Sequence, residues 1–319
     1  MTTDTISVCD PHFHMWDLPN RPNSNLGAAV EQNLPTYLAS DYIRDMDQLP
    51  APLQLVSGIH VETIVGQMEG GAPLDTVDET RWVCSQLKPA MQDRPFAVVA
   101  YVHLAQNGTT REHILQEHIE VSGARLRGVR MILNHHPDNP ELTWPQVESG
   151  EFLRNNLFRE GIALLERSNL TFDLSCHPHQ VADAVNVLSA YSSLRVVVNH
   201  LGFLHDGEDI AHEDLWRKSM LALAAVPNIY MKLSMLWFAR SAFHQDAEKE
   251  AKVRDLVREV IDIFGCDRCM FASNYPVDKI QDIDIPTLYG KFLHWTTDLS
   301  DSERAALFHD TAVRAYNLS

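Results

Sequence analysis

The chain reads as an α/β protein, a single (β/α)8 TIM-barrel domain over residues 1–319. Three observations predict this. Short β-rich segments recur about eight times over roughly 270 residues, most of them followed by a helical stretch. The first is followed by Pro11-His12-Phe13-His14, where a doubly wound open sheet would need a glycine-rich phosphate turn. Polar side chains stand at the end of every one of these segments, and in a barrel the strand ends form one mouth.

The eight segments, in order, are Ile6 to Asp10, Leu55 to Glu62, Phe96 to Val102, Leu126 to Leu133, Leu170 to Ser175, Arg195 to His200, Ile229 to Ser234 and Cys269 to Asn274. Their β-branched and aromatic residues suit strands buried on both faces. The intervals carry helical spacing. Val253, Leu256, Val257, Val260, Ile261 and Phe264 make one apolar stripe, and Val181, Ala184, Val185 and Leu188 make another. Ser300 precedes Glu303 by three residues, a capping-box pattern that opens a helix from Asp301 to Tyr316. The Pro/Asn-rich stretch at about residues 19–52 is too long for an ordinary connection and reads as a long loop or lid.

Hydrophobic residues make up 45% of the chain and charged residues 22%, the profile of a globular protein. The formal net charge of -17 argues against nucleic acid and against an anionic membrane as partner. No run has the length of a membrane-spanning helix, and Met1-Thr2-Thr3-Asp4 lacks the basic start of a signal peptide. Five scattered cysteines, Cys9, Cys84, Cys176, Cys266 and Cys269, fit reduced thiols and a cytoplasmic location. Cys266 and Cys269 have metal-knuckle spacing, but no second pair answers them, so burial is the better account. The oligomeric state is open, a homo-oligomer included.

His12 and His14 lie one residue apart where the first strand ends, so in extended chain they share a face. Such a pair can grip a metal, move protons, or merely satisfy backbone groups in a loop. The other strand ends add His60 and Glu62, Tyr101 and His103, Arg130 with Asn134 to His136, His177 and His179, Asn199 and His200, Lys232 and Ser234, and Asn274 and Tyr275. Arg130 and Lys232 inside strand-like runs need partners. An arginine can hold a substrate carboxylate with two parallel hydrogen bonds, and a lysine can stabilise a developing oxyanion. Histidines can bind a divalent metal or act as acid and base near neutral pH. Imidazoles, a carboxylate, a guanidinium and an amine at one mouth suit a hydrolytic or lyase site. His113 and His118, in the helical stretch after the third strand, are expected to be solvated.

At these residues the chain resembles the amidohydrolase superfamily, in its amidohydrolase-related branch of lactonase-like TIM-barrel hydrolases. Asp10-Pro11-His12-Phe13-His14-Met15-Trp16-Asp17 is similar to that branch's D-x-H-x-H-x-W-D opening. Leu126-Arg127-Gly128-Val129-Arg130 resembles its fourth strand, and Phe172-Asp173-Leu174 with Pro178-His179-Gln180 its fifth strand and turn. Val198-Asn199-His200-Leu201-Gly202 resembles its sixth strand, Met231-Lys232-Leu233-Ser234 its seventh, and Met270 to Val277 its F-G-S-D-W-P-V eighth strand.

The resemblance implies hydrolysis of a small lactone or related ester of a carboxylic acid, in carbohydrate or aromatic-compound catabolism. His12, His14 and His200 would surround the reacting carbonyl, empty or holding one divalent metal, zinc first among the choices. Arg130 would anchor a carboxylate. Asn274 stands where the family has its water-activating aspartate, and an amide neither accepts a proton at neutral pH nor ligates a divalent metal well. The catalytic set is then His12, His14, Glu62, His200 and Asn274, with His200, Glu62 or His177 as replacement base. His60, Arg130, His177, His179, Lys232, Ser234 and Tyr275 would bind the substrate. The competing expectations are a metal-dependent decarboxylase of a small carboxylic acid and a non-catalytic barrel that binds a small acid. The loop Asn134 to Pro145 would line the mouth.

Overall fold

The computed structural model describes residues 5–21, 36–63, 76–206 and 210–318. Eight strands run parallel in sequence order: β1 (Ile6–Phe13), β2 (Leu53–Val61), β3 (Phe96–Tyr101), β4 (Leu126–Ile132), β5 (Thr171–Ser175), β6 (Val196–Val198), β7 (Ile229–Leu233) and β8 (Cys269–Phe271). Each falls on one of the eight segments expected from the sequence, to within a few residues at the ends. Beyond β8 the chain meets β1 again. The Asn274 amide donates to the His12 carbonyl at 2.8 Å, and the His14 amide to the Tyr275 carbonyl at 2.6 Å. The sheet thus comes round on itself as a nearly closed (β/α)8 barrel.

Alternation along the strands sorts side chains to two sides. Phe172 and Leu174 turn outward to the helices, where Phe172 meets Phe158 of the helix Asn156–Arg167 at 6.0 Å between ring centroids. Asp173 and Ser175 take the other side. A small apolar cluster of Cys9, Ile59, Val61, Ala97, Val99, Val197 and Met270 fills that interior, with Ala312, Ala315 and Tyr316 of the last helical segment packed against it. Two residues beyond Val197 and Tyr230 on the same strands, the interior turns polar at Asn199 and Lys232.

Helices cover the outside as the periodicity predicts. The helix Ala247–Phe264 buries the six stripe residues, and Asp246 caps it by accepting from the Glu248 and Lys249 amides. In the helix Val181–Leu188 the buried set is Val181, Ala184, Val187 and Leu188, so Val187 takes the place expected of Val185. Ser300 and Glu303 form their capping box, but the helix behind them is not uniform. An α-turn at Asp301–Ala305 passes into a π-helical stretch at Ala306–Asp310 and back to α-helix at Thr311–Ala315.

Two further expectations need correction. The stretch 19–52 is not all loop: its described part holds the helix Ala39–Met46, whose Tyr42 stacks on Phe13 at 3.8 Å, while residues 22–35 lie outside the described residues. His118 is not solvated. It is fully buried, with Nδ1 2.9 Å from the Thr80 hydroxyl and Nε2 3.1 Å from the Tyr101 carbonyl, because its helix turns that face onto the neighbouring helix Thr76–Met91. All five cysteines are free thiols.

Candidate active site

Asp10 is the pin that joins the two ends of the sheet. Its carboxylate accepts from the Ser273 amide (2.9 Å), the Ser273 hydroxyl (2.6 Å) and the Tyr42 hydroxyl (3.1 Å). Burial raises it to about 6 against these donors. With β1 fixed in this way, His12 and His14 emerge side by side, their Nε2 atoms 3.1 Å apart. His14 Nδ1 sits 2.8 Å from the Val61 carbonyl, so Nδ1 carries the hydrogen and Nε2 is an acceptor. The Lys232 ammonium lies 3.2 Å from His12 Nδ1 and can only donate. His12 therefore carries its own hydrogen on Nε2 and shares it with His14. Lys232, His12, His14 and Val61 form one directed run of hydrogen bonds.

Lys232 has no exposed surface, and Asp173 holds it at 2.6 Å with equally complete burial. Asp173 also accepts from the Tyr316 hydroxyl at 2.8 Å, and Asn199 Oδ1 adds a weaker contact to the ammonium at 3.4 Å. Even so, burial outweighs the carboxylate and brings Lys232 down to about 8. His200, next to Asn199, faces His12 with 4.5 Å between ring centroids. Its Nδ1 is 3.0 Å from the Ser234 hydroxyl. Burial first, then the cations Arg130 and Lys232, hold His12, His14 and His200 well below the usual imidazole range. All three rings are neutral at neutral pH.

Arg130 is not free. Its Nε donates to Glu62 Oε1 and its Nη2 to the Glu62 carbonyl, both at 2.6 Å. Behind them Glu79 accepts from the Thr63 amide and hydroxyl at 2.7 Å. Burial and the charge of Glu62 raise it to about 8. His60 lies near this group and is pushed down to about 3 by burial and by Arg130. Among the described residues both of its ring nitrogens are buried without a partner, and so are Glu62 Oε2, both amide atoms of Asn134 and Ser175 Oγ. Each such atom costs about 1–3 kcal/mol unless something polar completes it. They lie at or just past the ends of β2, β4 and β5, the mouth of the barrel.

The remaining expected residues sit apart from this centre. His177 Nε2 is 2.8 Å from the Leu142 carbonyl and His179 Nε2 is 3.0 Å from the His135 carbonyl. With His136, at 6.1 and 5.2 Å between centroids, they fasten the loop after β4 to the barrel rim. Phe203 stands between His177 and His200. Tyr275 is buried and gives its hydroxyl to the Ile283 carbonyl at 2.6 Å. Asn274 donates from Nδ2 to Asp278 Oδ2 at 2.6 Å. Sequence reasoning did not single out Asp173, Glu79, Tyr316 or Asp278 as members of the site. Asp173 had a signal, since a strand lysine demands a carboxylate on a nearby interior position, here two strands away. Glu79, on a helix, had none.

His12, His14 and His200 do not make a metal cradle here. Among the described residues no three His, Cys, Asp or Glu side chains are arranged to hold a metal ion. The directed hydrogen bonds occupy His12 Nε2 with a hydrogen, the eighth strand offers an amide in place of a carboxylate, and two cations already stand nearby.

The nearly closed barrel and its imidazole-lined mouth together define a TIM-barrel protein with a polar centre at its strand ends. The amidohydrolase family model matches residues 9–318, and the chain belongs to that family. A protein of Sinorhizobium fredii described as uncharacterized, y4mH, is 30% identical over 323 residues, covering 98% of this chain and 99% of its own. An L-fucono-1,5-lactonase of Burkholderia ambifaria is 24% identical over 316 residues, covering 97% and 95%. The crystal structure of an amidohydrolase from Burkholderia multivorans with bound zinc superposes with a TM-score of 0.74 at 22% identity, covering 98% and 99%.

Proposed function

We propose that this mouth hydrolyses a lactone or related ester of a small carboxylic acid. One observation carries the reading. A fully buried ammonium fixes the hydrogen on His12 Nε2, and next to His12 stands His200, whose Nδ1 is held by Ser234. That puts a hydrogen-bond donor and a proton acceptor on two imidazole rings in contact at the barrel mouth. The likeness to an L-fucono-1,5-lactonase supports the same substrate class.

When substrate binds, its carbonyl oxygen takes the His12 Nε2–H in place of His14, and that donor, with the Lys232 charge behind it, polarises the carbonyl and stabilises the oxyanion. His200, with its hydrogen on Nδ1 toward Ser234, takes a proton from the attacking water at Nε2. Water oxygen bonds to the carbonyl carbon, the ring C–O bond breaks, and the departing alkoxide takes the proton back from His200. The product is the open hydroxy acid. His14 holds the His12 ring through the Nε2 hydrogen until the substrate takes it. Arg130, stretched between Glu62 and the mouth, and His60 bind the substrate's own carboxylate or hydroxyls, and the loop fastened by His177 and His179 forms the wall beside them. No step here runs through a metal, because the donor set does not fit one.

The test is a panel of sugar-acid and carboxylated lactones, with acid release followed by a pH indicator. Turnover of at least one is expected, with kcat falling about 10²–10⁴-fold in His200→Ala. Saturable binding without turnover would instead favour the non-catalytic barrel, and carbon dioxide release from an aromatic acid would favour the decarboxylase.

A further inference from the structure

Just past β8 this chain carries Asn274 where the resemblance implies a carboxylate, yet a carboxylate is present one helical turn on. Asp278 lies in the short helix Val277–Ile280, 1% exposed, and its Oδ2 accepts from Asn274 Nδ2 at 2.6 Å and from the Trp237 indole at 3.3 Å. Its Oδ1 is buried and has no partner among the described residues. Asn274 itself sits at φ 53°, a left-handed backbone that asparagine tolerates better than most residues. Its amide nitrogen donates to the His12 carbonyl at 2.8 Å, which ties it to the centre of the mouth.

An asparagine side chain has two faces, an acceptor and a donor, and without a partner it can flip between them. Here Asp278 takes the donor face. We propose that Asp278 is the positioning residue for Asn274, holding its amide so that Oδ1 faces the barrel mouth and accepts a hydrogen from the attacking water. The pair divides the work of the family's single aspartate. Asn274 orients the water, and the proton itself goes to His200. Burial raises Asp278 to about 8, so near neutral pH it is largely the uncharged acid, with its hydrogen on Oδ1 and Oδ2 left as acceptor. This inference rests on the hydrolytic reading above, but the side-chain geometry it asserts does not.

Two variants and one spectroscopic measurement test it. In Asp278→Asn, Asn274 and Trp237 both donate to one oxygen, which selects the carbonyl oxygen of the new amide. Positioning survives, and kcat on the best lactone of the panel stays within about threefold. In Asp278→Leu the acceptor is gone, and kcat falls about 10–100-fold with KM little changed. The Asn274 side-chain NH2 resonances, assigned by loss in Asn274→Asp, are expected to be slow to exchange in the wild type and in D278N and fast in D278L. Unchanged kcat in D278L, or an equal fall in D278N and D278L, overturns the positioning role. Fast exchange in the wild type overturns the geometry whether or not the protein turns over any lactone. If D278L does not fold, the wild-type and D278N spectra with the D278N kcat still decide.

Discussion

Arg130 and Lys232 show what a strand-borne cation demands of its neighbours. Each was readable as needing a partner, and each has one: Glu62 at 2.6 Å and Asp173 at 2.6 Å. Breaking such a pair from one side leaves a buried charge alone. Arg130→Met is therefore expected to lower unfolding free energy by about 3–5 kcal/mol, and the double variant Arg130→Met/Glu62→Gln by clearly less, as read from denaturant melts. Equal losses in the two would mean that the ion pair does not set the cost. The pairing also changes what Arg130 can do for a ligand, because two of its donor groups are already spent on Glu62. That could not be read from the sequence. Glu62 was visible as a strand-end carboxylate, but its direction across the barrel is set by the register of β2, β3 and β4.

At the scale of elements, the segment after β6 shapes the site. His200, Leu201, Gly202 and Phe203 have φ of 55°, 50°, 65° and 57°, a run of left-handed residues that costs about 1–2 kcal/mol for each of the three with a side chain. It swings the His200 ring toward His12 and sends Phe203 between His200 and His177. At Gly202 a Cβ would strain the left-handed backbone and push aside the flexible end of Met220. Gly202→Ala is expected to destabilise by about 1–3 kcal/mol and to lower kcat more than it raises KM, as His200 loses its place. A variant as stable and active as wild type would show the turn to be incidental. The eight strands and the apolar stripes were legible because parallel strands buried on both faces are continuous apolar runs and helices repeat every 3.6 residues. The left-handed turn, the π-helical stretch at Ala306–Asp310 and the buried His118 were not, because each arises from contacts between elements distant in sequence.

Across the whole molecule, the barrel brings residues 10, 12, 173, 200, 232, 274 and 316 into one connected polar centre, and the final helix supplies the Tyr316 hydroxyl that completes Asp173. The expectation of a mouth lined by imidazoles and two cations came from seeing polar residues at eight successive strand ends. Their connections came only from the folded barrel: which imidazole nitrogen carries hydrogen, which carboxylate holds which cation, and that the Tyr275 hydroxyl is spent on the Ile283 carbonyl. These connections also bear on a zinc-dependent reading. In the donor set seen here His12 Nε2 is a hydrogen-bond donor, so a metal there would have to displace that hydrogen and stand beside the Lys232 charge. The most direct measurement is the turnover of the best panel lactone by one preparation, divided into chelator-treated and zinc-loaded halves with metal content determined in each. Equal kcat in both halves, with less than about one-tenth equivalent of metal in the treated half, is the expected result. Activity lost on chelation and restored in proportion to bound zinc would contradict the account.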